Sequence, residues 1–202
     1  MAAMTPPVAV NLAELENFAW PAIFGNDRSV ELEIGTGKAA FLLRRARACP
    51  DRNFFGLEWA SKYHHFAADR LERWKVPNAR LLRIEAGHFI RVICPRESLT
   101  ALHIYHPDPW PKRRQQKRRL IQPVFVDAAV QCLRHGGHWA VQTDHAEYFA
   151  VIRGLLLAHP ELYETPFDDP EFGVEAARIA TNYEIKYLAE GRRIYQLALK
   201  RR

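Results

Sequence analysis

Five acidic residues sit where short apolar runs break off: Glu33 just before Gly35-Thr36-Gly37, Glu58, Glu85, Asp108 between two prolines, and Asp144 after Thr143. Residues 35–40, Gly-Thr-Gly-Lys-Ala-Ala, fit a loose GxGxxA turn, and Glu58 lies roughly 20 residues further on, where an acid can accept both hydroxyls of a ribose. Leu32 and Ala39 stand where a Walker A loop requires Gly and Ser or Thr, which excludes that loop. Two nucleotide-like ligands fit the turn, a dinucleotide and S-adenosylmethionine. A dinucleotide would set its pyrophosphate on the helix N-terminus beside the Glu33 carboxylate, a poor electrostatic match. S-adenosylmethionine has no phosphate and carries a sulfonium and an ammonium, so acids around a glycine turn favour it. Backbone N–H groups at Gly35 and Gly37 would hold its carboxylate, and Glu85 could accept from its adenine amino group.

These acids need strand ends to carry them. Residues 29–34 read as a strand and 38–49 as a helix stopped by Pro50. Residues 53–59 repeat the strand signal, and Tyr63, Phe66, Arg70, Leu71 and Trp74 then recur at helical spacing behind a possible Ser61 cap. Those aromatics are expected to form one face of a core helix, not a stacking platform. Leu81, Leu82 and Ile84 predict a third strand ending near Glu85, and 99–105 a fourth that runs into Pro107-Asp108-Pro109-Trp110. Residues 125–133 predict a helix ending at Gly136-Gly137 in a left-handed cap, with strand five at 138–142. A helix over 148–157 and strands over 162–165 and 194–199 follow, the last two joined by an irregular or short helical piece at 181–191. Strands alternating with helices imply an α/β, Rossmann-like fold: a mostly parallel seven-stranded sheet with helices on both faces, whose ligands bind outside the strand carboxyl ends. With no repeat or linker, 1–202 reads as a single domain, with a lead-in over 1–28 and a core over about 29–200.

A chain of 202 residues, 48% hydrophobic, can bury one proper core, and 29 Lys and Arg against 23 Asp and Glu give a net +6 that favours an anionic partner. Nucleic acid and an anionic membrane both satisfy that. Cys49, Cys94 and Cys132 form no CxxC pair, so neither a disulfide framework nor zinc is indicated, and they read as buried reduced thiols. His64, His65, His135, His138 and His145 show no HxH or HExxH spacing, and no metal is expected. Residues 1–10 carry no basic leader and no apolar run approaches the roughly 18 residues needed to span a bilayer, so a soluble, cytoplasmic protein is expected.

Residues 104–119 read Ile-Tyr-His-Pro-Asp-Pro-Trp-Pro-Lys-Arg-Arg-Gln-Gln-Lys-Arg-Arg. This resembles the signature of the tRNA (guanine-N7)-methyltransferase family, in which a strand ends in a Pro-Asp-Pro-Trp turn followed at once by a Lys/Arg-rich segment. Leu32-Glu33-Ile34-Gly35 with Gly37, Thr143-Asp144, and Thr181-Asn182-Tyr183-Glu184 agree with it in the same order. The resemblance implies a class I methyltransferase that uses S-adenosylmethionine on N7 of the variable-loop guanine of tRNA, conventionally position 46. It implies cofactor contacts from Glu33, Gly35, Gly37, Glu58, Glu85 and Asp108, with Asp108 at the catalytic centre. Lys112, Asp144, Thr181, Asn182, Tyr183 and Glu184 are implied on the substrate side. Glu85, His106, Gln115 and Asn182 depart from the family's usual Asp or Asn, Phe, His and Lys.

Guanine N7 has an in-plane lone pair and no proton, so its methylation needs positioning, not a general base. Asp108 can accept from the guanine N1–H and N2–H₂ donors or oppose the cation that develops, and Trp110 offers a face to a splayed base. The cations Arg113, Arg114, Lys117, Arg118 and Arg119 directly follow that turn and are expected to contact RNA phosphates, which position RNA without reading its bases. An amino-group methyltransferase or one acting on another RNA site, a catalytically silent RNA-binding module, and a nicotinamide oxidoreductase are the alternatives. Asp108-Pro109-Trp110, with a single proline between acid and aromatic, counts against the amino-group enzymes. A monomer or a homodimer would serve, and nothing in the sequence calls for a partner subunit.

Overall fold

The computed structural model describes residues 8–11, 17–167 and 181–202, with the backbone alone for 182–185. A short helix α1 (Trp20–Phe24) leads into β1 (Val30–Ile34), α2 (Ala40–Ala48), β2 (Asn53–Leu57), α3 (Ser61–Arg73) and β3 (Ala79–Leu82). Then come α4 (Ala86–His88), continued as a π-helical turn over Phe89–Ile93, β4 (Leu99–Tyr105), a 3-10 segment (Arg113–Arg118) and α5 (Pro123–Cys132). The chain finishes with β5 (Leu133–Thr143), α6 (Ala146–Ala158), β6 (Leu162–Thr165), α7 (Asn182–Ala189) and β7 (Tyr195–Arg201). These strands make one seven-stranded sheet in the order β3-β2-β1-β4-β5-β7-β6, parallel except for β7, which runs antiparallel to both neighbours. The strand order reverses between β1 and β4, and the crevice above such a switch point is where open α/β sheets take their ligands.

Strand side chains alternate between faces, and β1 uses that alternation to serve two purposes. Val30, Leu32 and Ile34 enter the larger core with Phe55, Leu102 and Trp139. Glu31 and Glu33 point the other way and are almost fully buried. At the larger core Phe18 meets Trp20, Phe55 and Phe89 edge to face, with Phe18 and Trp20 centroids 4.7 Å apart, and the Trp20 indole donates to Ser98 Oγ at 2.8 Å. Part of the expected lead-in is therefore core.

Two expectations are corrected. Helix α5 ends at Cys132, and Gly136-Gly137 lie inside β5, where the register jumps from Leu99↔Leu133 to Ala101↔His138. The glycines make a bulge: Gly136 has φ +72°, and a Cβ on Gly137 would lie 2.8 Å from the Arg134 carbonyl. The aromatics of α3 are not core residues. His64, Ala67 and Leu71 form its buried face, while Tyr63, Phe66 and Trp74 are 39%, 42% and 55% exposed.

Candidate active site

Strand β1 ends at Ile34 and the chain turns through Gly35 (φ +78°) and Gly37 (φ +53°), a left-handed backbone that glycine adopts without strain. Glu58, directly after β2, braces this turn: its Oε2 accepts from Gly37 N–H and its Oε1 from Ala60 N–H, each at 2.8 Å. Above the turn is a cavity of ≈ 230 Å³, lined by Glu33, Gly35, Gly37, the first turn of α2, Tyr63, Tyr105, His106 and Thr181. Glu85 caps α4, accepting from Gly87 and His88 N–H at 2.7 Å each, and remains exposed.

Glu33 is 4% exposed, and its Oε2, like Thr36 Oγ1, has no hydrogen-bond partner among the described residues. Burial pushes the Glu33 carboxyl up to about 8; the Leu42 N–H pulls the other way, and the nearby charge of Glu58 adds to the rise. A buried carboxyl with one oxygen left over at a cavity wall is the feature a cationic ligand would complete.

Two residues earlier on the same face, Glu31 is fully engaged. Arg45 Nη2 and Arg52 Nη1 each donate to its Oε1 at 2.9 Å, and His103 Nε2 lies 2.9 Å from its Oε2. Burial alone would raise this carboxyl, but the hydrogen bonds from His103 and Arg45 and the Arg45 charge outweigh burial and hold it at about 2. His103 Nδ1 in turn lies 2.9 Å from the Tyr105 hydroxyl, which ties the cavity wall to this buried network.

The far wall is the loop after β4. His106 (φ +52°) and Trp110 (φ +40°) both hold left-handed backbone, a strained arrangement for bulky side chains. Gln142 Nε2 lies 3.3 Å from His106 Nε2 and donates to Thr181 Oγ1 at 3.4 Å, while Asp144 Oδ1 lies 3.8 Å from His106 Nδ1. Asp144 also accepts from Arg192 at 2.9 Å, and the His106 ring meets Tyr187 edge to face at 5.3 Å. Thus Asp144 and Thr181 converge around His106. Asp108 is exposed on the loop between His106 and Trp110, outside the cavity lining.

Lys112, Arg113, Arg114, Lys117 and Arg118 are exposed, and among the described residues none is in an ion pair; Arg118 lies over the Trp110 ring at 5.1 Å. Arg119 corrects the expectation that it joins them. It is 6% exposed, donates to the Pro109 carbonyl at 2.8 Å and to both carboxylate oxygens of Glu147, and covers the Tyr148 ring at 4.6 Å. It braces the loop from beneath. The side chains of Asn182, Tyr183 and Glu184 lie outside the described ones; their backbone opens α7, and Lys186 one turn on lines the cavity. Phe41, Tyr63, Tyr105 and Lys186 were not among the expected site residues, and of these only Lys186, at helical spacing from Asn182, carried a signal that could have found it; His106 stood out in the sequence as a departure within the motif.

Residues 27–197 match the family described as "Putative methyltransferase". The chain is 34% identical to a tRNA (guanine-N(7)-)-methyltransferase of Geobacter metallireducens over 96% of this chain and 93% of that one. It is 33% identical to a protein of the same name from Nitrosococcus oceani, over 89% and 75%. Among solved structures it resembles the antibiotic-resistance methyltransferase Kmr (TM-score 0.56, 16% identity, 91% and 94% covered). It also resembles an S-adenosylmethionine-dependent O-methyltransferase of Thermotoga maritima (TM-score 0.56, 16%, 89% and 62%). At such identities these two structures speak for the fold alone.

Proposed function

Because the chain belongs to the tRNA (guanine-N(7)-)-methyltransferase family, we propose that it methylates N7 of the variable-loop guanine of tRNA, position 46 by convention, as one methyltransferase domain with its core over about 29–200. The observation that carries this reading is the buried Glu33 carboxyl at a glycine turn, one oxygen of which has no partner among the described residues, facing across one cavity the loop that bears Asp108 and its cations. S-adenosylmethionine, when bound, supplies the electrophilic methyl carbon. Glu33 would meet its ammonium, the Gly35-to-Gly37 turn, whose N–H groups already donate to the Leu57 carbonyl and to Glu58, would let it approach the backbone closely, and Glu58 and Glu85 would accept from its ribose and adenine. Glu58 oxygens each already hold one N–H, and a second lone pair on each remains for a ribose hydroxyl.

Asp108 accepts from the guanine N1–H and N2–H₂ donors and opposes the positive charge the base acquires. Lys112, Asp144 and residues 181–184 hold the substrate, and Arg113, Arg114, Lys117 and Arg118 take phosphates, with Arg119 fixing the loop. N7 carries no proton, so no proton-transfer group is required, and holding the nucleophile in line and dry can supply roughly 7–11 kcal/mol. No helix of the described residues is long and apolar enough to cross a membrane, and a tRNA substrate supports a cytoplasmic location.

At saturating S-adenosylmethionine, single-turnover methylation should be nearly flat from about pH 6 to 9, since the N7 nucleophile carries no proton; the ionisation of Glu33 acts on cofactor affinity instead. Asp108→Asn should slow it by tens-fold or more, with a much smaller effect on tRNA affinity. His106→Phe should remove any acid limb that an imidazolium beside the site imposes. A steep rise of rate with pH that survives His106→Phe and vanishes in Asp108→Asn would mean general-base catalysis and an amino-group target.

A further inference from the structure

The solvent face of α3 carries a stripe that begins at the cavity with Tyr63 and runs beyond it. Tyr63, Phe66 and Trp74 fall on one side of the helix at spacings of three and eight residues, and Trp59 precedes them at 65% exposure. Each of three rings is met by a cation from a neighbouring segment: Lys38 lies 5.4 Å from the Phe66 centroid, Arg47 5.1 Å from Trp74, and Arg83 6.0 Å from Trp59. Residues 61–75 add Lys62, Arg70, Arg73 and Lys75 against only Asp69 and Glu72, and Asp69 is paired with Arg73 at 2.7 Å. A row of large exposed rings is costly in water unless something covers it, and rings interleaved with cations are what unpaired nucleotides require: faces to stack on and positive charge along the backbone. A protein partner of mixed charge would not need so one-sided a basic rim.

We propose that the Phe66–Trp74 stripe of α3 is a second RNA-docking face, stacking unpaired nucleotides of the substrate. It rests on the tRNA reading above and adds a surface to it. The stripe is continuous with the site, because Tyr63 lines the cavity at its near end and the helix carries the stripe about 16 Å outward to Trp74. It lies on the β2 side of the cavity, whereas the Lys112–Arg118 cations lie on the β4 side. RNA engaging both would straddle the cleft.

The test compares full-length wild type with the Phe66→Ala, Trp74→Ala double variant, both residues lying outside the cavity lining. Binding to tRNA should weaken about tenfold or more, while affinity for S-adenosylhomocysteine and the thermal midpoint stay unchanged. Phe66→Tyr with Trp74→Phe should restore most of the binding. Photocrosslinking of wild type to 4-thiouridine-substituted tRNA should label peptides of α3, which keeps the idea testable if the double variant folds poorly. Unchanged tRNA affinity in a folded variant, or crosslinks confined to the 112–118 segment, would overturn it. So would conversion of a wild-type dimer to a monomer by the variant, since a second copy would then be the occupant. A wild type that binds tRNA through α3 without methylating it would instead sink the functional reading and leave this face standing.

Discussion

Glu31 and Glu33 are the same residue type on the same strand and the same face, two positions apart, and they are buried to opposite ends. Around Glu31 the fold gathers Arg45, Arg52 and His103, and the carboxyl falls to about 2. Around Glu33 it gathers the glycine turn and one backbone N–H, and the carboxyl rises to about 8. A buried acid whose partners come from the protein is structural; one whose second oxygen faces a cavity without a partner is kept for a ligand. Burial alone does not distinguish the two, and the source of the counter-charge does.

The largest effect should come from Glu31→Gln, which leaves Arg45, fully buried, without its charge partner. Urea unfolding at pH 7 should show a loss of about 3–5 kcal/mol; a loss below about 1 kcal/mol would mean that the network is not structural. Glu33→Gln should act in the opposite sense. A carboxyl raised from 4.5 to about 8 in the folded state binds more protons there than in the unfolded chain, so its contribution to stability is present below pH 4.5 and is lost as pH climbs to about 8. The slope is at most about 1.4 kcal/mol per pH unit, and the variant should lose that alkaline decline. Its affinity for S-adenosylhomocysteine should drop by about 1.5–3 kcal/mol. In wild type that affinity should rise with pH up to about 8, because binding an ammonium ionises Glu33; calorimetry in buffers of different ionisation enthalpy should register the released proton. Glu31 works at the acid end, its contribution being lost as pH falls from 4.5 towards 2. Equal pH profiles for wild type and Glu33→Gln would erase the contrast between the two acids.

The strands were legible because apolar runs ending at polar corners survive in any context: 99–105 and 162–165 fall where β4 and β6 lie, and the acids sit at the strand carboxyl ends. The glycine turn and Thr181 were also singled out in the sequence, and both line the cavity. What periodicity cannot decide is which way a face points. The spacing of Tyr63, Phe66 and Trp74 correctly predicts a shared side of α3, but the small Ala67 with Leu71 and His64 lets the helix sit close to the sheet, and the rings are left outside. Arg119 shows the same limit for charge, since nothing in a run of cations says which one will meet Glu147 beneath the loop. Gly136-Gly137 reads as a helix cap but makes a bulge inside a strand, because β5 pairs with β4 on both sides of it. Phe41 and Tyr105 reach the cavity only through tertiary placement, each ring centroid 4.9 Å from the other.

The central claim, methyl transfer to N7 of one guanine in tRNA, is tested most directly by incubating the protein with unmodified tRNA and S-adenosylmethionine and identifying the product. Digestion to nucleosides should yield a species that co-elutes with N7-methylguanosine, and chain scission at the methylated nucleotide should map it to the variable loop. A product that co-elutes with an N2-methylated guanosine, or scission mapping outside the variable loop, would contradict the account.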